Sequence, residues 1–139
     1  MGQPPTSKIL TSTMCGSENY IPSPLPLSRR EDVIARNRAL AAHMASAIAP
    51  FNDHPRVAEV RQTGMIAAIE VVREKATREP FPWQERRGRI VYRYALEHGA
   101  LLRPLGDVVY LMPPYVITPE EIDRLAVIAR EGIDRATTD

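Results

Sequence analysis

The 139-residue sequence has one cysteine, Cys15. A lone thiol excludes an internal disulfide and a cysteine-based zinc cluster. An excess of either charge is also missing. Lys and Arg total 18 against 17 for Asp and Glu, a net charge of +1, so the basic surplus of a polyanion binder is absent and no nucleic-acid partner is expected. Apolar runs reach about five residues, as in Val108-Val-Tyr-Leu-Met112, far short of the roughly 20 that cross a bilayer. The opening Met1-Gly-Gln-Pro-Pro-Thr-Ser-Lys8 has no apolar signal-peptide core, which makes the cytoplasm the expected location. Lysine is scarce. Only Lys8 and Lys75 stand against 16 arginines, so covalent chemistry on a lysine falls to one of those two. The sequence contains no glycine-rich phosphate loop and no Gly-x-Ser-x-Gly elbow.

Hydrophobic residues make up 44% and charged residues 25%, the balance of a globular chain with room for one core. Proline numbers 13, and Pro4, Pro5, Pro22, Pro24 and Pro26 all precede residue 30. Ile21-Pro-Ser-Pro-Leu-Pro26 fits neither a helix interior nor a central strand. Residues 1–27 therefore read as an irregular Pro-rich leader, and residues 28–139 as the folded domain.

Ser28-Arg-Arg-Glu31 has the form of a capping box. Val33, Leu40, Met44, Ala47, Ile48 and Phe51 follow near helical spacing, with Asn37 interrupting the stripe. The helix should end before Asn52-Asp-His-Pro55. Residues 57–63 and 65–72 read as two strands with Gly64 as a bulge or a turn between them. The second strand is almost wholly apolar and should be buried. A charged loop, 73–82, leads to a helix marked by Trp83, Ile90, Val91, Tyr94 and Ala95 and closed by Gly99. Residues 100–103 should form a short strand, Pro104-Leu-Gly-Asp107 a turn, and 108–112 the partner strand, which Pro113-Pro114 ends. Thr118-Pro-Glu-Glu121 combines an N-cap, a Pro at N1 and a Glu at N3. Ile122, Leu125, Ala126, Ala129 and Ile133 give the last helix one apolar stripe. The fold class this implies is α+β: three helices packed on a small, largely antiparallel sheet.

His43, His54 and His98 fall on separate elements with no carboxylate at ligand spacing, so no metal site is expected. They read respectively as a helix-surface residue, a turn residue before proline and a residue interacting with a helix C-terminal dipole. Cys15 has no positioned base and reads as inert. One constellation remains: Arg103 at a strand end, Pro104 stiffening the chain behind it, and Tyr110 on the return strand. A guanidinium held in this way presents a planar fork suited to a carboxylate. The residues alone favour a surface ion pair for Arg103 and a sheet-filling role for Tyr110, since most arginines are not ligands.

The runs Glu31-Asp-Val-Ile-Ala-Arg-Asn-Arg-Ala-Leu40, Arg61-Gln-Thr-Gly-Met-Ile-Ala-Ala-Ile-Glu70, Leu102-Arg-Pro-Leu-Gly106 and Tyr110-Leu-Met-Pro-Pro-Tyr115 resemble the C-terminal small domain of class III pyridoxal-phosphate-dependent aminotransferases. The resemblance covers roughly residues 28–139. Tyr110-Leu-Met-Pro-Pro-Tyr115 is similar to a narrower biotin-pathway branch, which takes its amino group from S-adenosylmethionine and passes it to a long-chain amino-keto monocarboxylate. The resemblance implies that Arg103 holds the substrate carboxylate and that Tyr110 lines the same pocket. It implies pyridoxal phosphate as cofactor of the intact family, carried by a large domain that this sequence does not show. Thr6-Ser-Lys-Ile-Leu-Thr11 resembles the family's segment around the Schiff-base lysine, which would make Lys8 a remnant of it; a fortuitous match of a short polar segment is the alternative. Lys75 has no family counterpart. The implied function is that of a fragment of such a transaminase, inactive alone, expected to bind the cofactor poorly and to meet its small-molecule substrate only with a large domain. Two other readings stand beside it: an α+β interaction or homodimerisation module without catalysis, and a fragment of an ω-amino-acid transaminase, which the 110–115 motif opposes.

Overall fold

The computed structural model describes residues 32–138. The expected leader, its Lys8 and Cys15, and the Ser28–Glu31 capping box lie outside the described residues. The fold below is that of the unit Ile34–Asp139.

Helix α1 spans Val33–Ile48 and tightens into a 3-10 turn over Ala49–Asp53. Its inward stripe is Leu40, Met44 and Ile48, with Phe51 completing it from the 3-10 turn; all four are buried. Strands β1 (Val57–Thr63) and β2 (Ile66–Val71) form an antiparallel hairpin. Gly64 is a turn residue, and the bulge falls instead between Val57 and Glu59. The two-residue turn Gly64-Met65 has positive φ at its first position only, +57° at Gly64. That is the signature of a hairpin turn in which glycine avoids a Cβ clash.

Two sequence-based expectations are corrected in the second half. The helix marked from Trp83 begins later. Trp83–Glu85 is a 3-10 turn, Arg86 sits at φ 47° and ψ 47°, and α2 runs Arg87–Glu97. The left-handed residue breaks the helical path, so Trp83 leaves the apolar face and is 74% exposed. The strand expected at 100–103 and the turn at 104–107 are each displaced. Strand β3 is Arg103–Leu105, the turn is Gly106-Asp107, and β4 is Val108–Leu111. Pro104 thus lies within a strand. The pair Leu105–Val108 closes the turn and carries the first cross-strand bonds, so Pro104, opposite Val109, falls where a backbone N–H would face outward. An edge strand tolerates proline there, and β3 is an edge, because the sheet order is β1-β2-β4-β3.

Helix α3, Pro119–Thr137, opens with a complete capping box: the Glu121 amide donates to Thr118 Oγ1 at 3.3 Å and the Thr118 amide to Glu121 Oε2 at 2.9 Å. Ile122, Ala126, Ala129, Ile133 and Ala136 form its buried stripe, while Leu125 packs at its margin. The core joins this stripe to Val91 and Ala95 of α2, Met44 and Phe51, and Ala67, Ile69, Val109 and Leu111 of the sheet. Each large fully buried side chain there contributes about 1.5–3 kcal/mol by leaving water. The architecture is the expected α+β one, three helices on a four-stranded antiparallel sheet.

Candidate functional site

Side chains alternate between the faces of a sheet, so the register fixes which residues share the face away from the core. Ile69 and Val109 are opposite each other and wholly buried. Their neighbours along the strands, Ala68 and Tyr110, are also opposite each other and lie on the other face. Arg61 opposes Ala68 on one side and Arg103 opposes Tyr110 on the other. One row therefore crosses all four strands in the order Arg61, Ala68, Tyr110, Arg103.

Arg103 and Tyr110 are brought together as the sequence suggested. They are direct cross-strand partners, with Cα atoms about 5.5 Å apart in such a bonded pair. Arg103 is exposed and Tyr110 half-buried. Among the described residues Arg103 makes no ion pair: the carboxylates that do pair with basic groups are Asp123, Asp134, Glu79, Glu59 and Glu85. Glu97 and Asp107, the nearest acidic groups in sequence, leave it free. Asp107 instead accepts the Phe81 backbone N–H, and burial pushes its carboxyl above the ordinary value despite that bond. The arrangement leaves a guanidinium fork and a phenol side by side on an open face, which suits an incoming carboxylate.

Arg61 is a residue that sequence reasoning missed. It is exposed and lies three strands from Arg103, about 14 Å at ~4.8 Å per strand. Its signal was the period-two alternation of Glu59, Arg61 and Thr63, but which strand lay beside which was needed to use it.

The histidines are structural. His43 Nε2 meets Asp123 Oδ1 at 2.8 Å, tying α1 to α3. His54 is more than a turn residue: it is 7% exposed, its Nδ1 accepts the Arg56 amide at 3.0 Å, and its Nε2 lies 2.8 Å from Asp134 Oδ1. Those partners assign the Nε2-protonated tautomer. His98 caps α2, stacking on Tyr94 with Nδ1 2.7 Å from the Tyr94 carbonyl. Among the described residues no group of His, Cys, Asp and Glu could hold a metal ion, and no helix is long and apolar enough to cross a membrane. Lys75 is the one described lysine. Its ammonium donates to the carbonyls of Asn52 and, at 3.2 Å, of His54.

Residues 24–131 match the model of the class III aminotransferase family, and the chain belongs to that family. Over 80 residues it is 58% identical to the adenosylmethionine-8-amino-7-oxononanoate aminotransferase of Geobacter sulfurreducens, covering 58% of this chain and 17% of that enzyme. Over 116 residues it is 39% identical to the enzyme of the same name from Anoxybacillus flavithermus, covering 81% of this chain and 25% of that one. The crystal structure of the Methanocaldococcus jannaschii enzyme of that name superposes with a TM-score of 0.78 at 32% identity, over 82% of this chain and 26% of that one. The chain thus spans about a quarter of the length of such relatives.

The class III family is dependent on pyridoxal phosphate. The described residues do not fit that group. The Lys75 amine is engaged by two backbone carbonyls, and a lysine so held is not poised to attack an aldehyde.

Proposed function

We propose that this chain supplies the small domain of an aminotransferase that moves an amino group from S-adenosylmethionine to 8-amino-7-oxononanoate, and that Arg103 holds the acceptor's carboxylate with Tyr110 beside it. The observation that carries the reading is the guanidinium of Arg103, without an ion pair among the described residues, opposite Tyr110 on the open sheet, in a chain 58% identical over 80 residues to an enzyme of that name. In that role Arg103 donates to both carboxylate oxygens through parallel charge-assisted N–H bonds. The Tyr110 hydroxyl donates to the same group, and the far end of the substrate is fixed while its ketone reacts elsewhere. The family's cofactor supplies the transfer itself. The described residues supply binding and orientation, so the isolated chain is inactive and its chemistry belongs to an assembly that includes a cofactor domain. Lys8 as a Schiff-base remnant remains part of this proposal and carries none of its weight.

The test is a chimera in which residues 28–139 replace the equivalent quarter of the Geobacter enzyme. The chimera should turn over 8-amino-7-oxononanoate, and Arg103→Ala should lower its kcat/KM by the equivalent of about 2–5 kcal/mol, the usual effect of truncating one partner of a buried charged pair. A chimera whose Arg103→Ala variant keeps full efficiency refutes the role of Arg103. An active chimera that accepts only other amino acceptors refutes the substrate.

A further inference from the structure

Between the start of α2 and the β3–β4 hairpin runs an open groove of about 490 Å³, within the ~300–1,000 Å³ range of small-ligand sites. Its lining includes Trp83, Arg86, Arg89, Tyr92, Arg103 and Asp107. The lining thus carries three arginines and one acidic residue in a chain of net charge +1.

The local charge is left unbalanced by how the neighbours pair. Glu85 stands next to Arg86 in sequence, but its carboxylate bonds Arg87 at 2.6 Å. Arg87 is further held by the Ala136 carbonyl at 2.8 Å and by the Phe81 ring at 4.8 Å. Arg86, Arg89 and Arg103 form no ion pair among the described residues. Clustered guanidiniums without counter-charges repel one another and are relieved by an anion with several acceptor oxygens. Asp107 is the one acidic residue of the lining, and burial holds its carboxyl above the ordinary value, which eases the approach of an anion as pH falls. The wall of the groove is aromatic. Trp83 is 74% exposed and Tyr92 36%, and an indole face left in water beside cations is a stacking platform for a planar ring.

We propose that this groove binds a small aromatic phosphate monoester of the nucleoside monophosphate class, its phosphate among Arg86, Arg89 and Arg103 and its ring against Trp83. The proposal shares Arg103 with the transaminase reading, but it concerns binding by the chain itself and not turnover, and its test rests on Arg86 and Arg89, which that reading does not use.

Trp83 is the only tryptophan, so intrinsic emission reports on the groove alone. The full chain is titrated with adenosine monophosphate at near-neutral pH and physiological ionic strength. A saturable change in Trp83 emission is expected. Adenosine should bind at least about tenfold more weakly, and Arg89→Gln should weaken adenosine monophosphate by about tenfold, the worth of one hydrogen bond to a charged group. Inorganic phosphate should compete. Arg86→Asn, which tolerates the left-handed backbone, serves as the second variant and should act in the same direction; circular dichroism checks that both fold. The proposal is overturned by the absence of a saturable change, by equal affinity for adenosine, or by unchanged affinity in both folded variants. Emission changes with an oligonucleotide but not with the monophosphate would also overturn it, in favour of a nucleic-acid surface.

Discussion

Gly88 sits in the first turn of α2, where the helix crosses the β3–β4 hairpin, and its replacement by alanine tests how rigidly that hairpin is seated. A Cβ built there falls 2.3 Å from the Gly106 carbonyl oxygen and 2.9 Å from Pro104 Cβ. Neither atom can swing aside. The carbonyl belongs to a two-residue turn clamped by the Leu105–Val108 pair, and the other atom belongs to a proline ring. Restoring ordinary contact requires a shift of about 1 Å between helix and hairpin, and overpacking of this kind typically costs about 1–3 kcal/mol. With fixed atoms on the receiving side the upper end applies, about 3 kcal/mol. Alanine regains at most about 1 kcal/mol of helix propensity over glycine. The net expectation is a loss of about 2 kcal/mol, or a fall in Tm of roughly 5–10 °C for a chain of this length. Thermal and urea unfolding of the full chain measure it. Gly64→Ala is the control: its Cβ meets open space but its φ is +57°, so it loses about 1–2 kcal/mol through backbone strain alone. A Gly88→Ala protein as stable as the parent would refute the claim that the hairpin is rigidly seated. In the chimera the same substitution should also impair carboxylate handling, because Arg103 opens the displaced hairpin.

Arg103→Ala should change the folding stability of the isolated chain by less than about 1 kcal/mol, as expected of an exposed side chain without an ion pair, and urea unfolding checks it. Thr118→Ala removes the side-chain half of the α3 capping box and should cost about 1 kcal/mol, read in the same assay. Asp107→Asn should raise Tm at neutral pH, and the gain should vanish on acidification. The sign follows from a carboxyl whose value is raised in the folded state by burial: ionising it disfavours the fold, and protonating it as pH falls through the folded value removes that penalty. A Tm gain that persists unchanged at acid pH would show that the Asp107 charge is not its source.

Local chemistry made most of the elements readable. The α3 capping box is written in four consecutive residues, 118–121, and its apolar stripe in the 3.6-residue period, so both needed nothing from the rest of the chain. Misreadings arose where tertiary placement overrode a local rule. Pro104 reads as a turn residue because proline favours turns, yet an edge strand offers it a position with no inward N–H to lose. Trp83 reads as part of the helix that Ile90, Val91, Tyr94 and Ala95 mark, yet the left-handed Arg86 breaks the register three residues later and the indole is exposed. His54 reads as a turn residue before proline, since its side-chain partner Asp134 lies 80 positions away.

The candidate site shows the same division. That Arg103 and Tyr110 face each other follows from a hairpin with a two-residue turn, because such a turn fixes which residues are opposite. Moving the turn from 104–107 to Gly106-Asp107 changed the pairing: a loop of 104–107 sets Arg103 opposite Val108, and only the displaced turn sets it opposite Tyr110. Arg61 is different. Its alternation with Glu59 and Thr63 gives it a face, but no spacing in the sequence says that β2 lies between it and β4. The order β1-β2-β4-β3 inserts the last strand of the second hairpin beside the last strand of the first, and only that choice aligns Ala68 with Tyr110. With β3 beside β2 instead, the sequence alternation would be unchanged, while Arg103 would stand two strands from Arg61 instead of three and no longer occupy the sheet edge. The charge pattern of the open face is therefore a property of strand order, and it became visible only with the fold.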